Sequence, residues 1–232
     1  MKFPHYSKIV KHLLNYFFPR ACFGCNALLS EEEQNLCYQC AHELPFTDNS
    51  LVELRFFKAL FYTHPLVKEG HAFYLYQEQT SIARLLKQLK FRGHEWIGTW
   101  LVKCAFHHYP PYPVDVVIPI PIHPLRLLKR GYNQVHGLAA FLAEYHKAVL
   151  VKKALKVRRF SPSQTRGGQR FRQKNRQGYF YCPQPERVKG KSVLVVDDIV
   201  TTGATLEVAF KCLQDAGVRE IYWISLAWTT ER

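Results

Sequence analysis

The stretch Val193-Leu194-Val195-Val196-Asp197-Asp198-Ile199-Val200-Thr201-Thr202-Gly203-Ala204-Thr205 constrains the fold more than any other part of the chain. Its first four residues carry no charge and read as a strand buried on both faces, the environment of a parallel sheet covered by helices. Asp197 and Asp198 fall at the carboxyl end of that strand, where open α/β sheets bind ligands. The turn Thr201–Thr205 supplies backbone N–H groups and three hydroxyls, and Gly203 lets it curl around an anion. Leu206, Phe210 and Leu213 then recur at helical spacing, so the turn opens a helix whose N-terminal partial charge favours phosphate. Acceptors for sugar hydroxyls and donors for a phosphate thus sit in one segment. A plain strand-to-helix turn, with Asp198 or Thr201 as a simple cap, is the competing reading. The agreement of strand, acid pair, turn and helix favours a pocket for a phosphorylated sugar.

The rest of the chain alternates helical and extended patterns, as an α/β domain does. Ile82, Leu85, Leu86 and Leu89 form one helical stripe. Trp96, Ile97, Trp100, Leu101 and Cys104 form a second. Val114–Ile118 reads as a strand ended by Pro119 and Pro121, which cannot donate ladder hydrogen bonds. Asn133 is placed to cap a helix whose buried face is Val135, Leu138, Ala139 and Leu142. Residues 148–157, 178–182 and 220–228 read as further strands. With 47% hydrophobic and 14% aromatic residues, 232 residues can pack one medium domain and a small appendage. No apolar run approaches the ~20 residues of a membrane span. Near the N-terminus Ile9, Val10, Leu13, Leu14 and Phe17 trace one face of a short amphipathic helix, too short for a signal-peptide core, which predicts a cytoplasmic chain with reduced thiols.

Cys22, Cys25, Cys37 and Cys40 form two Cys-x-x-Cys knuckles, spaced to close one tetrahedral zinc site. Such a site has no open coordination position, so its role is structural. A redox pair would need only one knuckle, and an iron–sulfur cluster is compatible with the spacing. Cys104, Cys182 and Cys212 stand alone in apolar surroundings and read as core residues. The formal net charge of +14 exceeds what one sugar phosphate requires. The densest patch, residues 147–176, contains Arg158, Arg159, Arg166, Arg170, Arg172, Lys174 and Arg176, without a single acid and with Phe160 and Phe171 interleaved. That composition suits nucleic-acid phosphates and bases, or simply a solvated basic loop.

The acid–threonine segment resembles the phosphoribosyl-diphosphate signature of type I phosphoribosyltransferases. Leu89-Lys90-Phe91-Arg92-Gly93, Pro119-Ile120-Pro121, Arg130-Gly131-Tyr132-Asn133-Gln134 and Arg170 with Asn175 extend the resemblance. Together with the leading four-cysteine ribbon, they are similar in order to the ComF family of competence-associated, phosphoribosyltransferase-like proteins. The resemblance implies an α/β fold in which a type I phosphoribosyltransferase-like parallel sheet is flanked by helices. Residues 1–50 would form the amphipathic helix and zinc ribbon, and residues 51–232 the larger domain. It implies that Asp197 and Asp198 hold the ribose hydroxyls, with magnesium, while Thr201, Thr202, Gly203, Ala204 and Thr205 wrap the 5′-phosphate. Pyrophosphate would lie at Pro121-Ile122-His123, within reach of Arg130, and residues 158–177 would occupy the place of a substrate lid.

Two functions follow from this resemblance. One is phosphoribosyl transfer to an acceptor, with Asp197, Asp198 and Arg130 as catalytic residues. The other is a non-catalytic protein that handles single-stranded DNA alongside other DNA-uptake proteins and uses phosphoribosyl diphosphate as ligand or signal. No general base stands out, and the surplus positive charge suits the second. The complete sugar-phosphate motif suits the first.

Overall fold

The computed structural model describes residues 19–47, 60–91, 93–106, 109, 111–158 and 179–229. The amphipathic stretch before residue 19 and Arg159, Arg166, Arg170, Arg172, Lys174 and Arg176 lie outside the described residues, as does nearly all of the segment read as a lid. The sheet is built from β1 (Val67–Leu75), β2 (Val116–Pro119), β3 (Val149–Leu150), β6 (Ser192–Val200) and β7 (Glu220–Trp228), all parallel and ordered β1-β7-β6-β2-β3. A separate two-stranded ladder pairs β4 (Lys156–Val157) antiparallel with β5 (Phe180–Tyr181).

Side chains along β6 alternate between two cores, as the pleat requires. Leu194 and Val196 pack with Val117, Ile224 and Leu226 against α2 (Ser81–Phe91), α3 (Trp96–Ala105) and α5 (His136–Tyr145). Val193 and Val195 pack with Val116, Ile118, Ile221 and Trp223 against α6 (Ala204–Asp215). Burial of each such side chain contributes roughly 1.5–3 kcal/mol, so the sheet is held from both faces. Helices on both sides also explain why its central strands read as unbroken apolar runs.

Several expectations change in detail. β6 continues past Val196 to Val200, so the acid pair belongs to the strand itself. The extended run expected at 148–157 breaks into a two-residue edge strand, a turn and β4. β1, which no sequence pattern had singled out, pairs with β7. It crosses the Trp223 indole at Gly70, where a Cβ would lie 1.9 Å from the ring. On α3 the buried face is Ile97, Leu101, Val102 and Ala105, so Trp96 turns outward to meet the cysteine module and Cys104 is exposed. Cys182 and Cys212 are half-buried. Asn133 does not cap α5 conventionally: its Oδ1 accepts from Val135 N–H at 3.3 Å, and its Nδ2 donates to the Ile120 carbonyl at 2.9 Å.

The cysteine module, with its short α1 (Tyr38–His42), rests on α2. Arg84 donates to the Gly24 carbonyl at 2.7 Å and Gln88 to the Phe23 carbonyl at 3.0 Å. Cys22, Leu36, Cys40 and Leu44 join the same core as α2 and α5. Among the described residues, no helix is long and apolar enough to cross a membrane.

Candidate functional site

From β2 the chain winds outward to β3 and then returns to β6 on the other side of β2. The winding direction reverses between β2 and β6, and a crevice opens beyond their carboxyl ends. A cleft of about 400 Å³ lies there, lined by Lys90, residues 120–123, Arg126, Arg130, Gln134, Tyr179, Phe180, residues 197–199, Ala204, Thr205 and Val208. The segment after β2 forms α4 (Pro124–Arg130), which begins with Pro124 in its first turn, accepts a cap from Leu125 N–H on His123 Nδ1 at 3.3 Å, and ends at Gly131 in the left-handed region. This short helix brings Arg126 and Arg130 to the cleft wall.

Asp198 gathers the wall together. Its Oδ1 accepts Ile199 N–H at 2.8 Å, and its Oδ2 accepts both Gln134 Nε2 and Lys90 Nζ at 3.0 Å. Gln134 in turn accepts Arg130 Nη1 at 2.9 Å, so a polar chain runs Arg130–Gln134–Asp198–Lys90 along the cleft. The Tyr132 hydroxyl donates to the Leu89 carbonyl, and Asn133 holds Ile120. These two contacts clasp the 130–134 turn between α2 and β2, which is why residues distant in sequence converge on one carboxylate. Asp197 is buried, and its Oδ1 accepts Asp198 N–H at 2.8 Å. Burial, and then the neighbouring Asp198 charge, push its pKa upward, with Lys90 and the Asp198 N–H acting in the opposite direction.

The threonine loop forms the other end. Thr201 and Thr202 are exposed, and Gly203 sits at φ 72° at the entry to α6. A Cβ on Gly203 would approach the Phe61 ring to 2.9 Å, so both backbone and space demand glycine. A second hollow of about 90 Å³ is lined by residues 199–206 with Asp197. It adjoins the larger cleft through Asp197, Ile199, Ala204 and Thr205. The arrangement offers backbone donors at one end, carboxyl acceptors in the middle and cations at the far wall. A molecule with two anionic ends and a hydroxylated centre matches that order.

The four cysteines converge as their spacing predicts. Their sulfurs all lie within 4.8 Å of one another, and Cys25 Sγ and Cys37 Sγ are 3.7 Å apart. Tetrahedral zinc with Zn–S of ≈2.3 Å requires sulfur separations of about 3.8 Å, so the set fits the ion. Gly24 N–H and Cys37 N–H point at Cys22 Sγ at 3.3 Å, and Ala27 N–H points at Cys25 Sγ at 3.4 Å. At Cys22 burial raises the thiol pKa, but the backbone donors outweigh it and bring the value down to about 7, whereas burial and the neighbouring thiols push Cys40 upward, so the crowded sulfurs do not all ionise without a cation between them. The cluster is consistent with a zinc ribbon.

A family model described as the phosphoribosyl transferase domain matches residues 115–229. Competence protein F of Haemophilus influenzae is 26% identical over 231 residues, covering 91% of this chain and 98% of that protein. Competence protein ComFC of Bacillus subtilis is 24% identical over 204 residues, covering 85% and 79%. ComFC of Streptococcus pneumoniae is 32% identical over 146 residues, covering 59% and 60%. The chain belongs to the ComF family.

In this ComF-family chain the expected site residues fall into three groups. Asp197, Asp198, Arg130, Ala204 and Thr205 line the main cleft, and Thr201, Thr202 and Gly203 line the adjoining hollow. Arg158 stands apart, its guanidinium 5.9 Å from the Tyr181 ring centre at a neighbouring surface hollow. Its backbone N–H donates to the Tyr179 carbonyl, and Tyr179 and Phe180 line the cleft. Lys90, Gln134 and Arg126 also line the cleft, beyond the site residues the sequence motifs indicate. Lys90 and Gln134 belong to the Leu89–Gly93 and Arg130–Gln134 motifs, which was the signal available. Which residue of each motif turns inward was not evident from spacing.

Proposed function

We propose that this cleft binds phosphoribosyl diphosphate with magnesium and that the chain transfers the phosphoribosyl group to an acceptor in the service of DNA uptake. The observation that carries this reading is the meeting of the Asp197–Asp198 pair and the Thr201–Thr205 helix-entry loop in one crevice where the sheet reverses its winding. In the proposed reaction the bond from ribose C1 to the diphosphate oxygen breaks, and the leaving group keeps the electron pair. The acceptor bonds to C1 and gives up its proton. Asp197 and Asp198 orient the ribose hydroxyls, Thr201, Thr202, Gly203, Ala204 and Thr205 hold the 5′-phosphate, and Arg130 faces the departing diphosphate. Positioning and charge neutralisation supply the catalysis, with no covalent protein intermediate.

Asp198 is already engaged by Lys90 and Gln134, so the oxygen donors available to a hard cation are chiefly the ligand's own. Magnesium bound with the ligand would add to the neutralisation that Arg130 gives the leaving charge. Cys22, Cys25, Cys37 and Cys40 hold zinc as a closed structural centre within an N-terminal module of residues 1–50, beside a catalytic domain of residues 51–232. A reducing cytoplasm suits those thiolates.

Incubation with phosphoribosyl diphosphate, magnesium and a panel of nucleobases tests the reading. Diphosphate should be released, and Asp197→Asn combined with Asp198→Asn should reduce release at least a hundredfold. Persistence in the double variant counts against the assignment. A second reading, a non-catalytic handler of single-stranded DNA that uses the same ligand as a signal, is favoured by the net charge of +14.

A further inference from the structure

The polar chain along the cleft wall contains a cation that the acid–threonine motif does not supply. Lys90 ends the amphipathic part of α2 and reaches over to Asp198, 3.0 Å away. Its side chain remains 23% exposed and lines the same cleft as Arg126 and Arg130. An ammonium carries three N–H donors, and Asp198 occupies one of them. Among the described residues, two donors therefore remain for a molecule in the cleft. The opposite end of the site already has an anion-binding element in the Gly203 turn and the α6 N-terminus, so the Lys90 ammonium faces the place of a second anionic group.

Sterically, Lys90 is held firmly. The stripe of Ile82, Leu85, Leu86 and Leu89 fixes α2 against the sheet, and Leu89 is clasped by Tyr132. A cation anchored on a carboxylate in a partly buried cleft loses little side-chain freedom on meeting a ligand, which raises the value of each contact.

We propose that Lys90 is a ligand-contacting residue that donates to the diphosphate of the sugar substrate while Asp198 holds its ammonium in place. The inference rests on the reading of the cleft as a phosphoribosyl diphosphate site and assigns a specificity role within it: Lys90 distinguishes the diphosphate-bearing sugar from ribose 5-phosphate, which has only the group bound by the threonine loop.

Calorimetric titration of magnesium-replete full-length protein with each of these two ligands tests the proposal, using wild type, Lys90→Met and Lys90→Arg, with melting curves for all three. Lys90→Met should weaken phosphoribosyl diphosphate about tenfold or more, change ribose 5-phosphate less than about threefold, and leave a cooperative melt. Lys90→Arg, which keeps the charge, should recover much of the preference. Equal weakening of both ligands by Lys90→Met, or weakening of neither, overturns the assignment of Lys90 alone. A wild-type protein that binds neither ligand overturns the cleft reading and the role of Lys90 with it. If Lys90→Met fails to fold, Lys90→Gln decides, because a diphosphate contact predicts selective weakening of phosphoribosyl diphosphate, whereas a purely structural pairing predicts parallel changes for both ligands.

Discussion

Asp197 is a carboxyl whose surroundings work against its charge, because it is buried beside Asp198 while Lys90 pairs with Asp198 instead. A folded-state pKa raised above the unfolded value of ≈3.9 means that the fold prefers the protonated form. The stability this group contributes is fully present below the unfolded value and is lost as pH rises through the folded value. Asp197→Asn removes that titration and keeps an oxygen to accept Asp198 N–H, so it should melt higher than wild type near pH 8. The gap should be several degrees, at about 2–4 °C per kcal/mol for a chain of this size, and should close toward pH 4. Melting curves across pH check this, and a lower melting point for the variant near pH 8 would refute it. The same substitution should impair ligand binding, the usual exchange of stability for function at a site. The carboxyl pair itself was legible because two acids after an apolar strand have one sensible place in an α/β sheet. That Lys90 and Gln134 pair with Asp198 and not with Asp197 was illegible, since it depends on which side chains approach from α2 and from the turn after α4.

At the scale of elements, α2 links the two distinctive parts of the molecule. Its Arg84 and Gln88 hold the cysteine module by the Gly24 and Phe23 carbonyls, and Lys90 on the same helix reaches the cleft. Phe23 meets Trp96 and His94 edge-on, both at 5.4 Å between ring centres, which widens the contact. If the four cysteines hold zinc as proposed, stripping it should therefore do more than loosen the ribbon. Chelation is expected to lower the melting point by several degrees and to weaken phosphoribosyl diphosphate binding several-fold, both recovered on adding zinc. Calorimetry on chelated, reloaded and untreated protein measures both effects. Unchanged melting after verified metal loss would contradict the structural role. Helices α2, α5 and α6 were readable from their apolar stripes, but the inward face of α3 was not, because aromatic Trp96 is used against the ribbon rather than against the sheet. β1 escaped notice for a related reason: a glycine in mid-strand lowers its extended pattern, and only the Trp223 ring lying over it explains the choice.

For the molecule as a whole, 32 basic against 18 acidic residues create a field suited to polyanions. Single-stranded oligonucleotide should bind with a steep salt dependence, each neutralised phosphate adding about −0.7 to the slope of log affinity against log salt. Replacing Arg170 and Arg172 with alanine should reduce that slope by about 1.4, as read by fluorescence anisotropy across a salt series. A slope near zero in wild type would remove the DNA-handling reading and leave the cleft reading intact. Length, charge, the cysteine knuckles and the run from Val193 to Leu213 were sufficient to settle the fold class, the ribbon and the threonine loop, because each is encoded by spacings of a few residues. What the tertiary structure alone decided was the strand order and the company Asp198 keeps. Gln134 lies 64 positions away in sequence, and the Lys90–Asp198 pair spans 198 − 90 = 108 positions. No local period carries contacts over such separations. They exist because the sheet reverses its winding between β2 and β6 and the 130–134 turn is pinned to α2, bringing separate motifs to one crevice.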